Sequence, residues 1–163
     1  MAFVDEALAA SGKTLSDVER VAVTIGPGSF TGIRVGVAAA RGFALSLGVP
    51  AVGVSRLAAL AAAAARDNPG RPVAVVMDAK RDEVYAQMFS ADLAELTPPE
   101  ALGIADAVQR FQDHDGFVCG SGAALVSAMP NGSDLTEIGV VAKLGAYADP
   151  AQGKPKPLYL RGP

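Results

Sequence analysis

The chain has 163 residues, 50% of them hydrophobic and 19% charged, which excludes a disordered chain too poor in apolar groups to offset the cost of ordering its backbone. A formal net charge of −3 excludes a surface that grips phosphate backbones unaided, since that needs clustered Lys and Arg, so any contact with RNA is expected to be indirect. Cys119 is the single cysteine, no basic-then-apolar segment opens the sequence, and no uncharged apolar run approaches the roughly 20 residues of a spanning helix, so a cytoplasmic setting without membrane association is expected.

Residues 2–10 read as a short helix ended by Gly12, with Phe3, Val4, Ala7, Leu8 and Ala10 on one side and Asp5 and Glu6 on the other. Val21-Ala22-Val23-Thr24-Ile25, rich in β-branched residues, reads as a buried parallel strand. A glycine loop over 26–32 leads into a helix over 31–47, which Gly48 and Pro50 stop. Residues 51–54 give a second strand, and Ser55 is placed to cap an Ala-rich helix reaching Arg66. Strand, helix, strand, helix implies an α/β fold with a parallel sheet.

Turn formers over 67–72 mark a boundary between two lobes, residues 1–68 and 69–163. Beyond it, 73–77 and 83–89 read as an antiparallel hairpin about the charged stretch 78–82, and 97–99 as a loop. A helix over 104–111, a strand over 117–119, a helix over 123–128, a turn over 130–133, a last helix over 140–148 and a Pro-rich tail complete the chain. His114, the one histidine, sits in the polar run 112–116 and reads as part of a solvated turn.

The loop Gly26-Pro27-Gly28-Ser29-Phe30-Thr31-Gly32 joins a buried strand to a long helix, where many α/β folds hold an anion on free backbone N–H groups. Its glycine spacing departs from the dinucleotide fingerprint, and no Lys follows to make a P-loop. Two readings of Gly26, Pro27, Gly28 and Ser29 stay open: a phosphate-holding loop, or a steric turn in which Ser29 or Thr31 caps the helix.

Projected at 100° per residue, the helix over 31–47 is apolar around nearly its whole girth. Gly32, Phe43, Gly36, Leu47, Ala40 and Ile33 share one arc, and Gly42, Val35 and Ala39 extend it, while Arg34 and Arg41 form the only polar stripe. Gly32, Gly36 and Ala40 at four-residue spacing allow another backbone to approach closely. Such a helix is either central to its own fold or covered by a second molecule.

Four segments together resemble the TsaB family, also called YeaZ. They are Thr24-Ile25-Gly26-Pro27-Gly28-Ser29-Phe30-Thr31-Gly32-Ile33-Arg34-Val35-Gly36, then Gly48-Val49-Pro50-Ala51-Val52-Gly53-Val54-Ser55, then Asp78-Ala79-Lys80-Arg81-Asp82-Glu83-Val84-Tyr85, and Pro157-Leu158-Tyr159-Leu160-Arg161. The resemblance implies an actin-like ATPase fold with two ribonuclease-H-like lobes. The family begins with an Asp-Thr strand and a hairpin that are not found here, so the first lobe, 1–68, is expected to be partial. Residues 69–163 would form the second lobe and tail.

The implied role is that of a non-catalytic scaffold in making threonylcarbamoyladenosine beside the tRNA anticodon. The implied partners are a catalytic sister, TsaD, and an ATPase, TsaE, with homodimers forming when the sister is absent. The implied interface comprises Phe3, Val4, Ala7, Phe30, Thr31, Gly32, Ile33, Arg34, Gly36, Val37, Ala40, Arg41 and Phe43. No tightly bound cofactor is expected, with ATP or ADP only inside the complex, and no metal, since the superfamily's catalytic branch uses a spaced His pair. Alternatives are an ATP-binding enzyme of the actin-like class and a glycoprotease-type peptidase. Asp78, Asp82 and Glu83 read as solvated hairpin residues, Cys119 as inert core, and Ser29 and Ser121 lack a placed base.

Overall fold

Val21–Gly26 (β1) runs parallel to Ala51–Ser55 (β2), and the two form a sheet of their own. The structure, a computed structural model, describes residues 2–129 and 132–161. Ahead of β1 come the helix Ala2–Ser11 (α1), closed by Gly12 at φ 65, and a 3₁₀ turn over Leu15–Asp17.

Phe30–Leu47 (α2) connects β1 to β2. Its start is set by Ser29, whose Oγ accepts from the Gly32 N–H, and its end by Gly48 in the left-handed conformation at φ 69. Ile33, Val37, Ala40 and Ala44, three or four residues apart, form its buried stripe against this small sheet. Strand side chains alternate, so Val23 faces α2 while Ala22 and Val52 face away from it, toward Ile138–Tyr147 (α6), where Gly145 lets the helix sit directly on Ala22.

The second sheet has the order β5-β4-β3-β6. Val73–Lys80 (β3) and Glu83–Phe89 (β4) form the hairpin, Glu100–Gly103 (β5) adds antiparallel to β4, and Phe117–Cys119 (β6) lies parallel to β3. Alternation again sorts the faces. Val73, Val75, Met77 and Phe89 pack on Arg56–Asp67 (α3), whereas Ala74, Val76, Val84 and Ala86 pack with Ile104–Phe111 (α4) and Ala123–Val126 (α5).

The Ala-rich α3, capped by Ser55, is the joint between the sheets. Leu57, Leu60 and Ala61 meet the second sheet, and Ala59 meets Val54 and Val141 of the first layer. Small side chains let both layers approach the same helix.

Several expectations change. β1 is half-buried rather than buried, because among the described residues it pairs with β2 alone. Although they follow the boundary expected at 68/69, α6 and the tail pack on the first sheet, with the Leu158 N–H donating to the Ile25 carbonyl at 2.8 Å and Pro155 beside Gly53. β5 lacks a strand signature in sequence and is set by its pairing to β4. α5 ends at Val126, two residues before its expected end. Within the turn expected over 130–133, Pro130 and Asn131 lie outside the described residues. His114 is half-buried, with Nε2 covered and unpartnered, and burial lowers its pKa.

By length and composition alone, α2 is the one helix among the described residues that could cross a membrane, with 18 residues and mean hydropathy 1.2. Its buried stripe on β1 and β2 and its two arginines fit a protein-facing helix instead.

Candidate functional site: an outward helix face beside a closed glycine loop

The glycine loop is filled from inside the chain. Gly26–Pro27 is a cis bond, Gly26 has φ 111 and Gly28 has φ 156, conformations open to glycine. Arg56, the first residue of α3, donates from Nη1 to the Pro27 carbonyl at 2.9 Å and from Nη2 to the Asp134 carbonyl at 2.5 Å, with Nε 3.5 Å from Thr136 Oγ1. A Cβ on Gly28 would lie 2.5 Å from Arg56 Nη1, so the guanidinium occupies the space over the loop. With Ser29 Oγ on the Gly32 N–H, the arrangement is a cap and a turn closed by an arginine. Nothing in the local sequence marks Arg56 for this place, since its partners lie 29 to 80 residues away.

The tail crosses the start of α2. Tyr159 Oη accepts from Arg34 Nε at 2.7 Å, the Arg34 guanidinium sits 3.7 Å over the Phe30 ring, and the Phe30 and Tyr159 rings are 5.2 Å apart. Farther along, Arg161 pairs with Glu83 and donates to the Lys80 carbonyl at 2.9 Å. A cavity of about 340 Å³ lies among Phe30, Arg34, Tyr85, Tyr159 and Arg161.

The candidate carboxylates and hydroxyls have structural partners. Asp78 accepts from Lys80 N at 2.8 Å and Lys80 Nζ at 2.5 Å; the lysine side chain is the main reason its carboxyl titrates below the usual range. Ser121 Oγ donates to Asp134 Oδ2 at 2.5 Å and accepts from Asp78 N at 2.9 Å. Burial pushes the Cys119 thiol up to about 12, with Asp134 adding to the shift. Among the described residues, no group of three or more His, Cys, Asp or Glu side chains is placed to hold a metal ion.

The expected interface residues divide by the phase of α2. Ile33, Val37 and Ala40 face the chain's own sheet and are buried, so they do not belong to an outer surface. Val4, Gly36, Arg41 and Phe43 are half-buried, while Phe3, Ala7, Phe30, Thr31, Gly32 and Arg34 are exposed. The face opposite the buried stripe consists of Thr31, Val35, Ala38, Ala39, Gly42 and Ser46, with Gly32 and Leu45 at its margins. Val35 is 63% exposed and Leu45 83%. Val35, Ala38, Ala39, Gly42 and Leu45, which lie outside the set implied by the family resemblance, are all exposed on or beside this face. Ile33, Val37, Ala40 and Ala44 recur at three- and four-residue spacing, but on a helix apolar around nearly its whole girth that spacing is shared by other stripes.

Comparison with known proteins gives this geometry its relatives. The family described as TsaD: tRNA N6-adenosine threonylcarbamoyltransferase matches residues 1–132. The tRNA threonylcarbamoyladenosine biosynthesis protein TsaB of Haemophilus influenzae is 30% identical over 181 residues, covering 97% of this chain and 76% of that protein. A tRNA N6-adenosine threonylcarbamoyltransferase of Jannaschia sp. is 54% identical over 55 residues, covering 34% of this chain and 15% of that protein. Among solved structures, YeaZ from Pseudomonas aeruginosa superposes with a TM-score of 0.78 at 27% identity, covering 96% of this chain and 81% of that one. The transferase identity is local, whereas the TsaB and YeaZ likeness runs nearly the length of the chain, and the α/β fold is the actin-like, ribonuclease-H-like one. The chain belongs to the TsaB (YeaZ) family of the glycoprotease-like superfamily.

Proposed function

We propose that this chain is a non-catalytic scaffold subunit in the biosynthesis of threonylcarbamoyladenosine in tRNA, docking through α2 and α1 onto a TsaD-like transferase. The relatives' names supply the pathway. The observation that carries the docking reading is the outward face of α2, where Val35 and Leu45 stand in water beside Gly32, Ala38, Ala39 and Gly42, with Arg34 and Arg41 confined to one flank. A solvated helix carries polar groups on its outer half. This one carries small and apolar groups, which allow close approach of a second helix. Burying a few hundred Å² there contributes several kcal/mol at about 25 cal/mol per Å², before association costs. Phe3 of α1, 87% exposed, adds an aromatic group of the kind that anchors interfaces.

The same face serves for a homodimer when the transferase is absent. A TsaE-like ATPase joins the assembly, ATP or ADP is held only within it, and tRNA is reached through the transferase in the cytoplasm. The hydroxyls of Ser29 and Ser121 are engaged in a cap and in an Asp134 contact, in keeping with chemistry carried by the partner.

The test is sedimentation of the purified chain alone and with the transferase of the same organism. A dimer that converts to a one-to-one heterodimer is expected, and Val35→Glu should abolish both. Heterodimer formation by Val35→Glu at wild-type affinity would remove α2 from the interface. Calorimetric titration with ATP and Mg²⁺ separates the rival reading, because tight binding and turnover by the chain alone would favour an ATP-using enzyme.

A further inference from the structure

The two arginines on the flank of α2 are treated differently by the fold. Arg34 is engaged by the chain's own tail, stacking on Phe30 and donating to Tyr159. Arg41, two turns on, makes no hydrogen bond or ion pair with any described residue, and its Nε is covered by protein with no acceptor. A covered guanidinium donor without a partner is destabilising and is normally avoided.

Beside it lies a cavity of about 570 Å³, formed where the end of α2 meets the start of β2 and the turn over Pro150–Gln152. Arg41 and Lys154 are its charged residues, and no Asp or Glu lines it, on a chain whose net charge is −3. Its remaining walls are apolar or glycine, including the exposed Leu45 and the prolines Pro50 and Pro150. The cavity is continuous with the outward face of α2 through Gly42 and Leu45.

From these observations we infer that this cavity receives an acidic side chain, flanked by an apolar one, from the protein that covers α2. The carboxylate takes both edges of the Arg41 guanidinium after a small rotation of its terminal torsions, with Lys154 as the second cation and Leu45 under the apolar neighbour. Charge complementarity selects this occupant, since two cations without a lining anion repel a basic segment and leave a neutral one with an unpaired guanidinium. The inference rests on the scaffold reading and deepens it, adding a contact that sets specificity at one end of the helix.

The experiment measures binding of the same organism's threonylcarbamoyltransferase to the wild type, Arg41→Gln, Arg41→Lys and the distant control Lys143→Gln, at three salt concentrations. The inference expects Arg41→Gln to weaken binding about 30-fold and flatten the salt dependence, Arg41→Lys to recover part of the affinity, and Lys143→Gln to leave it unchanged. Because Arg41 has no acceptor in the free chain, the melting temperature of Arg41→Gln should equal or exceed that of the wild type. Equal affinity and salt slope for the wild type and Arg41→Gln would overturn the carboxylate contact while leaving the scaffold reading intact. Absence of binding by the wild type would overturn both. Loss of tRNA binding by the assembled complex with transferase affinity unchanged would assign the cavity to phosphate and overturn the inference.

Discussion

Arg56 lies over Gly28 and donates from Nη1 to the carbonyl of Pro27 at 2.9 Å, so the first residue of α3 closes the loop that precedes α2. Gly28 is required there by space as well as by conformation. Arg56→Ala should lower stability by about 2–3 kcal/mol, because a carbonyl loses a charged donor and a cavity opens. Gly28→Ala should destabilise by displacing the same guanidinium. Urea unfolding of both variants checks this, and an unchanged midpoint for Gly28→Ala would show that the loop has slack.

Arg20 holds the end of α6 from 125 residues away, donating from Nη1 to the carbonyls of Gly145, Ala146 and Ala148 at 2.8, 2.9 and 2.6 Å. These are carbonyls that a helix end leaves without internal partners, and a cation there also favours the helix dipole. Arg20→Ala is expected to cost about 2 kcal/mol and to raise amide exchange over residues 138–147 first. Uniform loss of protection across the molecule would mean that α6 does not open as a separate unit.

Lys80, Arg81 and Asp82 have φ values of 63, 57 and 58, three successive non-glycine residues in the left-handed region. The turn is held by the Asp78 carboxylate on Lys80, by Arg161 on the Lys80 carbonyl, and by the Ile104 N–H on the Asp82 carbonyl at 3.0 Å. Each residue in that region carries a cost of about 1 kcal/mol that glycine lacks. Arg81→Gly should therefore raise stability by up to about 0.5 kcal/mol, the strain of about 1 kcal/mol being partly offset by the added chain entropy. A lower melting temperature for this variant would show that the Arg81 side chain contributes more than its backbone costs.

Cys119 titrates at about 12 because its sulfur is buried, with the nearby Asp134 charge adding to the effect. The folded state therefore favours the protonated thiol. Its contribution to stability is complete below the unfolded thiol pKa, near 8.5, and is lost as pH rises from there toward 12. Iodoacetamide at pH 8.5 should label the native protein about a thousandfold more slowly than the protein in urea. Comparable rates would place the thiol in solvent.

Local chemistry was legible where it is encoded within a few residues. Ser29 and Gly48 frame α2, Ser55 starts α3, and residues 73–89 make the hairpin, because caps, turn residues and periodicity depend on hydrogen bonds to near neighbours. The family, too, was readable from four short segments of sequence. What the sequence left open was the phase of α2. Its apolar girth admits several inward stripes, and only the contact of Ile33, Val37, Ala40 and Ala44 with the small sheet leaves Val35, Ala38 and Gly42 outside.

The tertiary structure alone decided the fate of the glycine loop and the place of the last third of the chain. Arg56 closes the loop through acceptors up to 80 residues away, and α6 and the tail fold back onto the first sheet from the far end of the sequence, Gly145 on Ala22 and Val52 and Pro155 beside Gly53. Such contacts carry no periodic or turn signature. They form when loop closure is offset by burial against a surface that exists only after both strands have paired.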